Sequence, residues 1–221
     1  MPPGATSTLD DRDDSSVKLV VGLGNPGRQY ARTRHNVGFR AVQAVARLWD
    51  CSPPRGAFGG QTYDTRPMRG QDRPRRVALL QPHTFMNRSG QAVKGMVSFY
   101  KADLDDLLVV LDDIALPLGA LRMRAVGSAG GHNGLADVLM HLGSQEVPRL
   151  RIGVGAPPEN IDAADFVLGP FGSDETEIIE RAVNLAARAV EDWVFSGTDY
   201  VMDNYNQKVE PQDPKIRDTR Q

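Results

Sequence analysis

The feature that most constrains this chain is an alternation in which short apolar runs take turns with longer stretches of helical periodicity. The runs are KLVVG (18–22), RVALL (76–80), LLVVL (107–111), ALRMRAV (120–126) and LRIGV (150–154), with a weaker one near 58–65. Continuous apolar runs of this length suit strands buried on both faces. Helical spacing fits 36–49, where Val37, Ala41, Ala44, Val45 and Leu48 share a face, and 89–101, where Val93, Met96, Val97 and Tyr100 do. A longer amphipathic stretch begins after Ser173, which reads as its N-cap. Asp174, Glu175 and Glu177 occupy its first turn and suit the positive end of a helix dipole. Its apolar stripe runs through Ile178, Ile179, Ala182, Leu185, Ala186, Ala189, Val190 and Trp193. The alternation predicts an α/β fold, a single domain with a central mixed β-sheet covered by helices. Sheets of this kind carry their sites at strand ends.

Composition narrows the class. With 40% hydrophobic and 24% charged residues, the chain is neither disordered nor a membrane protein, and no apolar run approaches the ~18 residues of a membrane span. Cys51 is the only cysteine, so no disulfide forms within the chain and a reducing, cytoplasmic setting is expected. Residues 1–17, MPPGATSTLDDRDDSSV, lack both the apolar segment of a signal peptide and the Arg-rich, acid-poor character of a transit peptide. They read as a disordered acidic tail, with the domain over 18–206 and a polar C-terminal tail over 207–221. The net charge is −2, but the first 17 residues hold four Asp against one Arg, leaving the body neutral to slightly basic. A basic surface must therefore come from clustering, as in TRPMRGQDRPRR (65–76), LRMR (121–124) and RLR (149–151).

The loop GLGNPG (22–27) has the spacing of a dinucleotide-binding turn, but its context is wrong. Such a turn opens directly into a helix and needs an acid about 20 residues on, at the end of a second strand. Here RQYARTRH follows with no apolar period, and Asp50 ends a helical stretch before CSPP. What remains is Asn25 held in a Gly/Pro turn at a strand end, with His35 and Asn36 ten residues later. Three more segments share that form: QPHTFMNRSG (81–90), LDDIALPLG (111–119) and GSAGGHNGL (127–135).

Of the four histidines, His35 and His132 lie beside Asn and Gly. No His pair has i, i+4 spacing and no Cys or Glu completes a ligand set, so metal binding is not indicated; G-x-S-x-G is absent. A histidine can activate water near neutral pH when a carboxylate fixes its tautomer, and Asp112, at the end of LLVVL, suits that role. Amides from Asn25, Asn87 and Asn133 match a peptide-like substrate and could steady an oxyanion. This combination points to ester or amide hydrolysis without a covalent intermediate.

These motifs resemble those of bacterial-type peptidyl-tRNA hydrolase from Lys18 to about Asn206. The matching pieces are VGLGNPG, the YA and TRHNVG that follow it, TFMNRSG, LDDIALPLG, GSAGGHNGL, LRIGVG and FVLG. The resemblance implies a monomeric, cytoplasmic α/β enzyme, free of metal and cofactor, that cleaves the ester between a peptide and tRNA. It implies His35 as catalytic base and Asp112 as its orienting acid. Asn25, Asn87 and Asn133 would bind the substrate and position water, Tyr30, Phe85 and Met86 would line the cleft, and Arg124 and Arg151 would clamp a tRNA phosphate. Three positions depart from the family pattern: Ala115 replaces a second acid, Leu111 replaces a His before the Asp, and Ala129 replaces another His. The alternative is a catalytically inactive RNA-binding module on the same fold; the presence of His35, Asp112 and Asn133 argues for the enzyme.

Overall fold

The computed structural model describes residues 16–206. The two tails expected from the sequence fall outside the described residues, except that Val17 is buried, so the core begins just before the expected boundary. Seven strands form one sheet: β1 (Lys18–Gly22), β2 (Arg55–Ala57), β3 (Gly60–Thr65), β4 (Val77–Pro82), β5 (Leu107–Asp113), β6 (Leu121–Arg124) and β7 (Arg149–Gly153). Five α-helices accompany them: α1 (Val37–Leu48), α2 (Ser89–Tyr100), α3 (Asn133–Leu142), α4 (Ala163–Leu168) and α5 (Ser173–Tyr205).

The strand order is β2-β3-β4-β1-β5-β7-β6. The four central strands are parallel, while β3 runs antiparallel to β4, β2 to β3 and β6 to β7. The sheet is therefore mixed, as the alternation predicts. Its central strands read as continuous apolar runs because alternate residues enter different cores. Val20, Leu108 and Val110 face α1 and α5, whereas Leu19, Val21, Leu107, Val109 and Leu111 face α2 and α3.

Two contacts place the helix ahead of the chemistry. A Cβ at Gly22 would overlap the carbonyl oxygen of Gly38, and one at Gly38 would overlap the carbonyl oxygens of Val110 and Leu23. The first turn of α1 thus rests directly on the ends of β1 and β5, and the residues preceding it lie above those ends. Of the glycines of GLGNPG, Gly22 serves this backbone packing and Gly24 lies against the Phe39 ring, while Gly27 takes a positive φ in the turn; the segment after the loop is a 3₁₀ turn, Arg28–Tyr30, instead of the helix a pyrophosphate would need.

Several details differ from the sequence expectation. Leu48, Ile178 and Leu185 are exposed, because each sits at the margin of its helix stripe; Val42, Val183 and Ala187 fill the core instead. The N-cap of α5 is Gly172, with Ser173 the first helical residue, and the Glu175 carboxylate accepts the Gly172 N–H at 2.7 Å. The helix breaks at Gly197, whose φ of 84° is left-handed. Trp193, fully buried just before the break, donates its Nε1–H to Thr198 Oγ1 beyond it at 3.1 Å. At the end of the helix, Asn206 Oδ1 accepts the Met123 N–H at 2.6 Å and Nδ2 donates to the Met123 carbonyl at 3.0 Å.

Replacing Gly38 with Ala should cost about 2–3 kcal/mol or more, since the added methyl meets backbone on two sides. Urea denaturation of the variant and the parent measures the difference.

Candidate active site

The sheet's carboxyl edge holds a carboxylate shared by two histidines. Asp112, next to last in β5 and 4% exposed, points out of the sheet at the strand end. Its Oδ1 lies 2.8 Å from His35 Nδ1 and 3.0 Å from His132 Nε2. His35 comes from the 3₁₀ turn Arg34–Asn36 that precedes α1, and His132 caps the amino terminus of α3. The two rings are 4.9 Å apart between centroids.

The hydrogen bonds fix which nitrogen does what. The Leu135 N–H donates to His132 Nδ1 at 3.1 Å, so Nδ1 carries a lone pair and Nε2 carries the proton given to Asp112. Both nitrogens of His132 are thereby occupied. His35 gives only Nδ1 to Asp112, which leaves Nε2 as the ring nitrogen available to the cleft that His35 lines. Burial by itself would raise the Asp112 carboxyl, but electrostatic attraction and hydrogen bonding from His132, and then from His35, outweigh it and hold the group well below the usual carboxylate range. The ligand atoms of His35, Asp112 and His132 all lie within 4.8 Å of one another, the spacing of a metal set. Their bonding points elsewhere: His132 Nε2 is a proton donor here, and one carboxylate oxygen already receives both rings.

The surrounding loops are locked by side-chain amides. Asn36 Oδ1 accepts the Asn25 N–H at 2.8 Å, and its Nδ2 donates to the Asn25 carbonyl at 2.9 Å, tying the turn that bears His35 to the end of β1. Asn25 Oδ1 in turn accepts the Met86 N–H at 2.9 Å. That fixes the Asn25 amide with Oδ1 turned to Met86 and leaves the NH₂ outside that bond, in a residue that lines the cleft. Arg34, buried beside His35, forms paired bonds to the Glu175 carboxylate at 3.0 and 2.6 Å and donates to the Val154 carbonyl at 3.0 Å. Its guanidinium lies over the rings of Phe166 and Phe171 at 4.2 and 4.8 Å. The Arg34 hydrogen bonds lower the Glu175 carboxyl. The histidine turn is therefore held to α4 and to the start of α5 as well as to the sheet.

The resulting cleft has a volume of about 990 Å³. Asn25, His35, Phe85, Met86, Asn87, Asp112, Asn133 and Arg151 all line it, so most of the expected site converges. Phe85 is 59% exposed at its lip, while Met86 is buried against Gly134. Two expected residues are elsewhere. Tyr30 sits half-buried in the 3₁₀ turn after the glycine loop, and Arg124 lies exposed on edge strand β6; neither lines the cleft. The departures Leu111 and Ala129 also line the cleft, Leu111 from the core side. Ala115 is exposed in the turn after β5 and donates its N–H to Asp113 Oδ1 at 2.8 Å.

Sequence reasoning missed three parts. His132 was visible in GSAGGHNGL but had no separate role, because only the fold brings it to Asp112. Helix α4 was not expected; six residues are too few to show a period, yet Ala163, Ala164, Val167 and Leu168 form one wall of the cleft. The third is how the basic clusters LRMR and RLR, each noted in the sequence, combine into one face of arginines. In the β6–β7 ladder Arg122 pairs with Arg151 and Arg124 with Arg149, so all four project from one face. Arg151 is held by Asp113 Oδ2 at 3.1 Å, and buried Arg149 donates to the Gly127 and Gln145 carbonyls at 2.7 and 3.2 Å. Burial, and then the charge of Arg151, lower the Arg149 guanidinium to about 10.

Fold and site together define the class: an α/β protein with a carboxylate-bridged pair of histidines at the carboxyl edge of its sheet. A profile of the family described as peptidyl-tRNA hydrolase matches residues 19–213. A peptidyl-tRNA hydrolase of Synechococcus sp. (strain JA-2-3B'a(2-13)) is 46% identical over 195 residues, 88% of this chain and 85% of that protein. One from Rhodopirellula baltica is 44% identical over 190 residues, 86% of this chain and 97% of the other. The crystal structure of peptidyl-tRNA hydrolase from Acinetobacter baumannii superposes with a TM-score of 0.78 at 34% identity, covering 87% of this chain and 96% of that one. The chain belongs to the peptidyl-tRNA hydrolase family.

Because the folded Asp112 carboxyl is depressed, its contribution to stability is present above the unfolded value of ~3.9 and is lost as pH falls below it toward the folded value. Denaturation measured between pH 5 and about 2 should show a steep loss of stability in the parent and a shallower one in Asp112→Asn, whose amide does not titrate.

Proposed function

We propose that the protein hydrolyses the ester joining a peptide to tRNA, with His35 as the general base that activates water. The observation that carries this reading is the asymmetry of the histidine pair: His132 has both ring nitrogens engaged, whereas His35 Nε2 is left to the cleft. Asp112 holds His35 in the tautomer whose lone pair faces outward and supports the imidazolium that forms. His132 is a positioning residue that fixes Asp112 from the other side.

In the reaction, His35 Nε2 takes a proton from water as the water oxygen bonds to the ester carbonyl carbon. The carbonyl oxygen gains negative charge and accepts a hydrogen bond donated by the oriented Asn25 NH₂, an interaction worth ~3 kcal/mol at sites of this kind. The carbon–oxygen bond to the ribose then breaks, and the imidazolium returns the proton to the leaving oxygen. Asn87 and Asn133, which line the cleft with exposed Phe85, offer further contacts to the peptide. Arg124 and Arg151 supply the phosphate contacts. On the face they share with Arg122 and Arg149, only Arg151 has a carboxylate partner among the described residues, Asp113, and a bound phosphate supplies further negative charge.

In an assay with N-acylated aminoacyl-tRNA, His35→Ala should lose ~10²–10⁴-fold in kcat; parental turnover would remove it as the base. Arg124→Ala and Arg151→Ala should each weaken tRNA binding and lower the slope of log affinity against log salt by about one. An unchanged slope would take that arginine out of the contact.

A further inference from the structure

The arginine-rich segment 65–76 has no part in the chemistry above, yet it borders a second cavity. This hollow, about 430 Å³, lies where β3 ends and β4 begins, and its wall includes Arg55, Asp64, Arg66, Arg76, Phe99 and Tyr100. It is remote from the cleft. Strand β4 starts beside Arg76 and ends three residues before Phe85, so the two sites sit at opposite ends of a strand ~20 Å long.

The charge in the hollow is unevenly satisfied. Asp64 is its acidic group, and both oxygens are engaged, Oδ2 by Arg55 at 2.5 Å and Oδ1 by the Tyr100 hydroxyl at 2.6 Å. Arg66 and Arg76 pair with no carboxylate among the described residues, though Arg76 lies over the Tyr100 ring at 5.6 Å. The aromatic wall is equally unfinished. Phe99 stands 66% exposed, with Tyr100 edge-on at 5.0 Å and Phe58 at 5.4 Å between centroids. Two rings thus brace a third whose remaining surface meets solvent. Exposed rings beside cations without a counter-charge suit a ligand with a flat apolar part and an anionic part.

We infer that this hollow is a second, nucleotide-binding site, in which a base stacks on Phe99 and its phosphate is held between Arg66 and Arg76. The volume falls in the ~300–1,000 Å³ range of small-ligand sites. Stacking on one ring tolerates any base, so the site recognises the nucleotide unit and not a sequence. The unit could be a free mononucleotide or one residue of an RNA strand, and the inference does not depend on the ester chemistry of the cleft.

The test uses the full chain, titrated by calorimetry and NMR with adenosine 5′-monophosphate, a six-nucleotide single-stranded RNA, and inorganic phosphate. Binding of either nucleotide probe should shift the Phe99 and Tyr100 ring resonances. Affinity should fall at least tenfold in Arg66→Gln/Arg76→Gln and severalfold in Phe99→Ala, both exposed positions whose circular dichroism should match the parent. A response to the mononucleotide assigns the free ligand, and a response to the RNA alone assigns the strand. Resonances unmoved by both nucleotide probes, affinity unchanged in the double variant, or phosphate binding as tightly as the nucleotides would each overturn the inference.

Discussion

The site depends on a single buried oxygen. Asp112 Oδ1 sits at the end of β5 and receives one imidazole from the turn before α1 and another from the cap of α3. These elements cover opposite faces of the sheet, α1 packing into one core and α3 into the other. The carboxylate is therefore the point at which the two halves of the molecule meet, and an ionised group at this depth persists because two donors replace the water it has lost. Asp112 also makes the histidines unequal. One ring is closed by a backbone N–H from its own helix, and the other is left with a nitrogen to spare.

Backbone packing brings these groups together. The near contact of Gly22 with Gly38, and of Gly38 with the carbonyls of Val110 and Leu23, leaves no room for a side chain at the point where the first turn of α1 meets the strand ends. Reciprocal bonds between Asn25 and Asn36 then pin the loops on either side. Arg34, one residue before His35, carries the restraint outward to Glu175, Phe166 and Phe171. The three-residue turn that carries His35 is thus anchored to the sheet, to α4 and to α5 without relying on the length of any helix.

Much of this was legible in the sequence, and the limits have physical causes. Strands with residues entering two cores are long apolar runs, so β1, β4, β5 and β7 stand out, and the stripes of α1 and α2 show their inward faces. Strand β2 and helix α4 are too short to display a period and acquire their form from neighbours. His35 and Asp112 could be proposed as partners because strand ends in α/β sheets converge. The part of His132 could not, since its ring is fixed by the Leu135 N–H, a bond that exists only once α3 has formed. Arg124 was grouped with Arg151 by motif, and the register of β6 against β7 puts both on one face while leaving Arg124 outside the cleft.

The bonds from Asn206 to Met123 bear on how copies of this protein meet each other. Strand β6 is the last in the sheet, and its outer backbone groups would otherwise be open to pairing. One amide side chain supplies the donor and acceptor that a neighbouring strand would present, and it occupies the middle of a four-residue edge. The opposite border, β2, is only three residues long. A foreign strand thus finds a blocked rung on one side and too short a ladder on the other, which guards the molecule against end-to-end polymerisation through its own sheet.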